Sequence, residues 1–184
     1  MNRLEVQWMS LMKKLNLILS NLIFIILFSI SPSYSDEKNI IKGKAIVLDG
    51  DTIKINGERI RFGGIDAPES YYKGKAQTCF KDSNYVFCGQ ISKEKLIKKI
   101  GNNYLNCKVQ INKDRYKRLI GECFLKEESL SVFMVRNGYA FDWPYYSKGK
   151  FANDEEYAKI NKLGFWNMNF EYPWKWREKI RKNK

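Results

Sequence analysis

The sequence predicts an α+β fold, a five-stranded OB-fold Greek-key barrel with about three helices. Three observations predict it. Five short runs of strand-forming residues are separated by turn signals, one helical pattern falls between the third and fourth runs, and the other helical patterns follow the fifth.

The first strand is expected over residues 40–48, after a polar leader. Asp49-Gly50 turns the chain into a second strand over residues 52–55. Asn56-Gly57 is a strong hairpin signal, because both residues tolerate positive φ, and leads to a third strand over residues 59–64. Residues 70–88, rich in Tyr, Lys, Gly and Asn, read as loop. A helix is expected over residues 90–100, with Ile91, Leu96, Ile97 and Ile100 on one face and Gly101 as its stop. Its lysines 93, 95, 98 and 99 read as a solvated face. Strands over residues 104–111 and 118–125 flank the polar segment NKDRYK as a hairpin centred on Arg115. Further helices over residues 130–137 and 154–163 end at Gly138 and Gly164. The aromatic-rich residues 165–176 are expected to seal the core.

Residues 1–35 do not read as part of this domain. Lys13 and Lys14 precede a mostly apolar run over residues 15–30, and Ser33-Tyr34-Ser35 offers small residues two apart. This is the pattern of a secretory signal peptide cut before Asp36. A membrane anchor is the alternative, but Asn16, Ser20, Asn21 and Ser29 interrupt the run, which falls short of the ~18 apolar residues a span needs. The expected location is therefore secreted or periplasmic, with residues 36–184 as one domain and no stable membrane association after cleavage.

The whole chain carries 33 basic and 20 acidic residues; without residues 1–35, which hold three basic side chains and one acid, 30 and 19 remain, a net +11. A charge that large on a domain this small suggests a polyanionic partner, since neutralising phosphates releases counterions. Solubility, or adhesion to an acidic envelope, are the alternatives. Cys79, Cys88, Cys107 and Cys123 all lie in the part expected to be exported, and an even count in an oxidising compartment reads as two disulfides. With no C-x-x-C pair and no histidine, a zinc site is disfavoured. The hairpin centre at Arg115 puts Cys107 directly opposite Cys123, a spacing that suits a disulfide, and leaves Cys79 with Cys88.

Residues 49–69 read DGDTIKINGERIRFGGIDAPE, packing several carboxylates and an arginine into one stretch. The joint spacing (DGDT, eight residues, Arg61, four residues, DAPE) resembles the staphylococcal nuclease family. DRYKR at 114–118, FMVRNGYA at 133–140 and AKINKLGFW at 158–166 are similar to further blocks of that family, in the right order, so the resemblance covers about residues 41–166. It implies the same barrel and a Ca²⁺-dependent hydrolysis of DNA and RNA with little sequence preference, at the 5′ P–O bond, by a monomer. It implies Asp51, Asp66 and the backbone carbonyl of Ala67 as calcium ligands, Glu69 as the group that orients or deprotonates the attacking water, and Arg61 with Arg118 as the phosphate clamp.

The chemistry points the same way. Phosphodiester hydrolysis needs a positioned water, neutralisation of the phosphoryl oxygens and help for the leaving oxygen. Without histidine, only carboxylate, metal and arginine are available to supply them. Asp51 and Asp66 offer hard oxygens suited to Ca²⁺, and arginine forks suit phosphate. Tyr116 matches a family tyrosine near the nucleotide, and a tyrosine beside cations such as Arg115 makes a base-stacking platform. Tyr145 and Tyr146 are weaker candidates for a second platform, and Asp49 reads as a turn residue.

Two local departures carry structural expectations. Lys117 stands where the family turn commonly has glycine, so a residue with a Cβ is expected at positive φ. Arg61 and Asp66 are five apart and would point to opposite faces of a regular strand, so Gly63-Gly64 is expected to bulge or bend it. Two other function classes compete with an enzyme: a non-catalytic nucleic-acid-binding OB module, and a structural envelope protein.

Overall fold

The computed structural model describes residues 39–182 continuously, with single positions 8, 9, 12 and 16 ahead of them. The expected signal peptide otherwise lies outside the described residues. No helix among the described residues is long and apolar enough to cross a membrane.

In chain order the strands are β1 (Ile40–Lys44), β2 (Ile46–Asp49), β3 (Thr52–Ile55), β4 (Glu58–Phe62), β5 (Ile65–Asp66), β6 (Cys79–Lys81), β7 (Asn84–Val86), β8 (Tyr104–Lys113), β9 (Leu119–Leu125), β10 (Glu128–Ser129) and β11 (Phe141–Asp142). The helices are α1 (Cys88–Ile100), α2 (Leu130–Arg136), α3 (Pro144–Ser147), α4 (Ala152–Ile160) and α5 (Pro173–Lys182), with a 3₁₀ turn at Gly164–Asn167.

The main sheet runs β1-β8-β9-β4-β3-β2, with β10 on β9. Its neighbours are antiparallel except β4 and β9, which run parallel. β1 and β2 are separated only by Ala45, yet they end opposite sides of the sheet path. The sheet therefore curls into a half-barrel. Alternation decides which face is inside: Ile53 and Ile55 on β3, and Ile60 and Phe62 on β4, are fully buried at two-residue spacing. Leu96 and Ile100 of α1 and Leu130, Met134 and Val135 of α2 close this core.

The α+β class holds, but the counts of five strands and three helices do not. The expected first strand breaks at Ala45, because its two halves serve opposite ends of the curl. The expected third strand ends at Phe62, short of Gly63-Gly64, and beyond those glycines a further short strand, β5, pairs with β11 in a separate small sheet. Residues 70–88 are not plain loop: β6 and β7 form a hairpin there. Helices α3 and α5 both begin at a proline, whose fixed φ and missing N–H suit a first helical position. The aromatic content of residues 165–176 masked the second of these. Along α1, Ile97 is 46% exposed, and the buried position beside Leu96 is taken instead by Ser92, whose hydroxyl donates to the Tyr139 carbonyl (2.7 Å).

A second, aromatic cluster forms where the C-terminal segment returns. Phe141 and Phe165 are fully buried, Phe170 stacks on Phe141 at 4.7 Å, and Trp166 and Tyr172 meet Phe141 edge-on. This is the seal expected of residues 165–176, and it fixes the approach to α5. Both disulfides pair as expected, Cys107–Cys123 across β8 and β9 and Cys79–Cys88 around the β6–β7 hairpin.

Candidate active site

The β3–β4 hairpin builds the first half of the site. Thr52 lies opposite Arg61 in its register, so Asp51, one residue earlier, meets the Arg61 side chain. Arg61 Nη1 donates to Asp51 Oδ2 (2.6 Å), and Nη2 donates to Asp66 Oδ1 (2.7 Å) and to the Ile65 carbonyl (3.2 Å). The chain can bring Asp66 to the same guanidinium because it bends at Gly63-Gly64, where Gly64 has φ +80°. That meets the expectation for these two glycines. Asp51 is further held by the Thr52 hydroxyl on Oδ1 (2.7 Å) and the Ala67 N–H on Oδ2 (3.1 Å). Asp49 accepts from the N–H groups of Gly50 and Ser70, as a turn residue does.

Glu69 follows on the irregular segment after β5. Its N–H donates to Oε1 of the buried Gln77 (3.2 Å), and α1 starts so close to it that a Cβ on Gly89 would stand 2.0 Å from the Glu69 carbonyl. Glycine is required there for close approach. The Glu69 side chain meets Arg177 of α5: Nη1 of Arg177 donates to Glu69 Oε1 (2.5 Å) and Asp66 Oδ1 (3.1 Å), and Nη2 donates to Asp66 Oδ2 (2.7 Å). Sequence reasoning missed Arg177. The signal was present in the spacing of Trp174, Arg177 and Arg181, which fall on one helical face at i, i+3 and i+7 and line the same cleft.

Arg118 enters from the β8–β9 hairpin. Lys117 has φ +60°, as expected for the turn, and Asp114 secures the residues around it. Asp114 Oδ1 accepts from the N–H groups of Tyr116 and Arg118 (2.9 Å each), and Oδ2 accepts from Arg118 Nε (3.0 Å) and Nη2 (2.8 Å). Tyr116 is half exposed, with Arg115 and Arg118 guanidinium carbons 4.9 and 5.2 Å from its ring centroid. Arg61, Glu69, Arg115, Tyr116, Arg118 and Arg177 share one open cleft of about 1020 Å³. Of the two further tyrosines considered, Tyr146 lines that cleft and Tyr145 is exposed beside it. Asp51 and Asp66 are buried and do not form its wall.

In the cluster around Arg61 and Arg177 the acids outnumber the arginines. Burial pushes Glu69 up to about 7, with Asp51 adding to the effect and Arg177 opposing it. Burial, then Asp51, pushes Asp49 up to about 6. Burial also raises Asp66, outweighing Arg61 and Arg177. Burial works against Asp51 too, but Arg61, the Thr52 hydroxyl and the Ala67 N–H hold it below the usual range. Both arginines are raised by their carboxylate partners in spite of burial.

Asp49, Asp51, Asp66 and Glu69 thus outnumber the two guanidiniums of Arg61 and Arg177, and all but Asp51 are shifted toward the protonated form. Hard carboxylate oxygens are the ligands calcium prefers. Among the described residues no three acidic, histidine or cysteine side chains gather around one point. Arg61 lies between Asp51 and Asp66, and Arg177 between Asp66 and Glu69. Every oxygen of Asp51 and Asp66 already accepts a hydrogen bond, so a cation here would have to share or displace these donors, and a three-carboxylate cage does not fit.

The family model described as "Staphylococcal nuclease homologue" matches residues 59–168. A succinoglycan biosynthesis protein, ExoI, of Rhizobium meliloti is 31% identical over 134 residues, covering 72% of this chain and 68% of its own length. The micrococcal nuclease of Shigella flexneri is 28% identical over 167 residues, covering 79% and 83%. Endonuclease YhcR of Bacillus subtilis is 31% identical over 159 residues, but this chain spans 12% of it. The family match takes in Arg61, Asp66, Glu69 and Arg118, and leaves Asp51 before it and Arg177 after it. On the matched length and these relatives, the chain belongs to the staphylococcal nuclease family.

Proposed function

We propose that this protein is an exported, Ca²⁺-dependent nuclease that hydrolyses phosphodiester bonds of DNA and RNA with low sequence specificity. The observation that carries the reading is the meeting of Asp51, Asp66 and Glu69 with Arg61 and Arg177 at a cleft also lined by Arg115 and Arg118. Relatives named as nucleases support it. Export rests on the leader pattern of residues 1–35 and on the two disulfides.

In this reading Asp51, Asp66 and the Ala67 carbonyl would hold the cation. When bound, calcium supplies positive charge beside the phosphoryl oxygens and lowers the pKa of a bound water. Glu69 takes a proton from the attacking water; a base near neutrality suits that task. Arg61 and Arg118 donate to the non-bridging oxygens, where negative charge develops. Tyr116, with Arg115 and Arg118 against its ring, offers a face to a base and cations to its backbone.

The deciding experiment incubates purified protein with plasmid and single-stranded DNA, with Ca²⁺ and then with chelator. Calcium-dependent cutting is expected. Binding without cutting would favour a non-catalytic OB module.

A further inference from the structure

We infer that Arg177 is a positioning residue of this site: its guanidinium, delivered by the C-terminal helix, holds Glu69 and Asp66 in their working orientation. The inference rests on the nuclease reading above, and it places part of the machinery beyond residue 168, where the family match ends.

The geometry is that of a fork spanning two acids. One nitrogen of Arg177 bonds both Glu69 Oε1 and Asp66 Oδ1, and the other bonds Asp66 Oδ2. A planar guanidinium can bridge two carboxylates at fixed angles, whereas a point charge cannot. Using Oε1 leaves Oε2 as the Glu69 oxygen to face a water. The side chain of Arg177 is only 12% exposed, so its contacts are largely desolvated and specific in direction.

Arg177 is itself held from two sides. Its guanidinium carbon lies 5.5 Å from the Trp143 ring centroid, and Trp143 stacks at 5.7 Å on Trp174, three residues before it. Tyr172 stacks on Trp174 in turn at 4.6 Å. Gln77, fully buried, donates to the Glu171 carbonyl (2.7 Å) just ahead of α5 and accepts from the Glu69 N–H (3.2 Å). One side chain therefore ties the backbone of Glu69 to the approach of the helix that supplies its partner. A helix docked only for packing would have needed the aromatic stack and no guanidinium aimed at these two acids.

The test uses the purified full chain as wild type, Arg177→Ala, Arg177→Lys, Glu69→Gln and the Ala/Gln double variant, on single-stranded DNA with Ca²⁺. Arg177→Ala is expected to lower kcat about 10–100-fold, the usual loss for a residue supporting a reactive one, with KM within a few-fold. Arg177→Lys should recover only part of it. Millimolar guanidinium ion should restore Arg177→Ala and leave wild type unchanged. In the Glu69→Gln background the same substitution should cost clearly less in rate, the remainder reflecting its hold on Asp66. Thermal midpoints give a readout independent of activity: the losses from Arg177→Ala and Glu69→Gln should not add. Arg177→Gln, which keeps a long polar side chain, takes the place of alanine if that variant does not fold. A variant cutting as fast as wild type, or faster, overturns the inference, since the guanidinium would then only block the acids. An undiminished loss in the Glu69→Gln background also overturns it. If wild type does not cut at all, the nuclease reading falls, and additive thermal losses would remove the Arg177 inference separately.

Discussion

Arg61 and Asp51 meet across the β3–β4 hairpin, Nη1 to Oδ2 at 2.6 Å, while the second nitrogen of the same guanidinium reaches Asp66. One planar group thereby sets the separation of the two acids proposed to hold calcium. Arg61→Lys keeps the charge and loses the bridge, so kcat is expected to fall on the order of 10²–10³-fold. Nucleic-acid affinity, measured in the presence of chelator, should stay within a few-fold. Asp51→Ala should instead raise the calcium concentration needed for half-maximal rate. Equal effects of both substitutions on affinity would contradict these assignments.

Lys117 pays for the Arg118 turn with a left-handed backbone, φ +60°. Such a conformation costs a residue with a Cβ about 1 kcal/mol or more, which glycine avoids. Lys117→Gly should therefore raise the thermal midpoint by a few degrees and leave kcat within about twofold. Asp114→Ala removes the acceptor of both side-chain bonds from Arg118 and should lower kcat about tenfold or more. A calorimetric scan and a rate measurement on each variant check the pair.

Cys107 and Cys123 face each other on β8 and β9 with Cα atoms 4.0 Å apart, and Cys79–Cys88 ties β6 to the start of α1. Closing loops of 16 and 9 residues separation is worth roughly 2–3 kcal/mol each in the chain-entropy model. Mass spectrometry of unreduced digests should find these two pairs and no others. Reduction should lower the thermal midpoint, and an unchanged midpoint would speak against both bonds.

The pH dependence should separate rate from stability. Burial, then Asp51, raises Glu69 to about 7, so a base at this position is half ionised near that value and mostly ionised above it. The rate should climb with pH and level off above about 7. Glu155, whose Oε1 accepts from the Asp142 N–H (3.1 Å), is also pushed up by burial to about 7. A carboxyl raised in the folded state holds its proton there while the unfolded chain has lost it. Its stabilising contribution is thus complete below the unfolded value near 4.5 and is lost as pH rises through about 7. Glu155→Gln, which keeps the acceptor, should flatten the fall of the thermal midpoint between those limits. A wild-type slope retained in the variant would assign the effect elsewhere.

Much of this was local, and so it could be read in the chain. The hairpin centre at Arg115 predicted the register Cys107↔Cys123, because antiparallel pairing is symmetric about its turn. Gly63-Gly64 between Arg61 and Asp66 announced a bend, because a regular strand cannot present both to one side. Lys117 at positive φ followed from the resemblance to the nuclease family, whose turn commonly carries glycine there. The break at Ala45 was not visible, since its cause is the curl of the whole sheet and not any signal in residues 40–48.

Arg177 marks the boundary most clearly. It lies 108 residues from Glu69 and 111 from Asp66, within a helix where the spacing of Trp174, Arg177 and Arg181 marks one face but not the acids that face meets. The sequence by itself determined the α+β class and the two disulfide pairings, because near neighbours and hairpin symmetry specify those, and its resemblance to the nuclease family singled out Asp51, Arg61, Asp66, Glu69 and Arg118. Which cation meets Glu69 was decided only by tertiary structure. The aromatic packing of Phe141, Phe170, Tyr172, Trp174 and Trp143 sets where α5 docks, and a contact across such a distance has no imprint in any short stretch of chain.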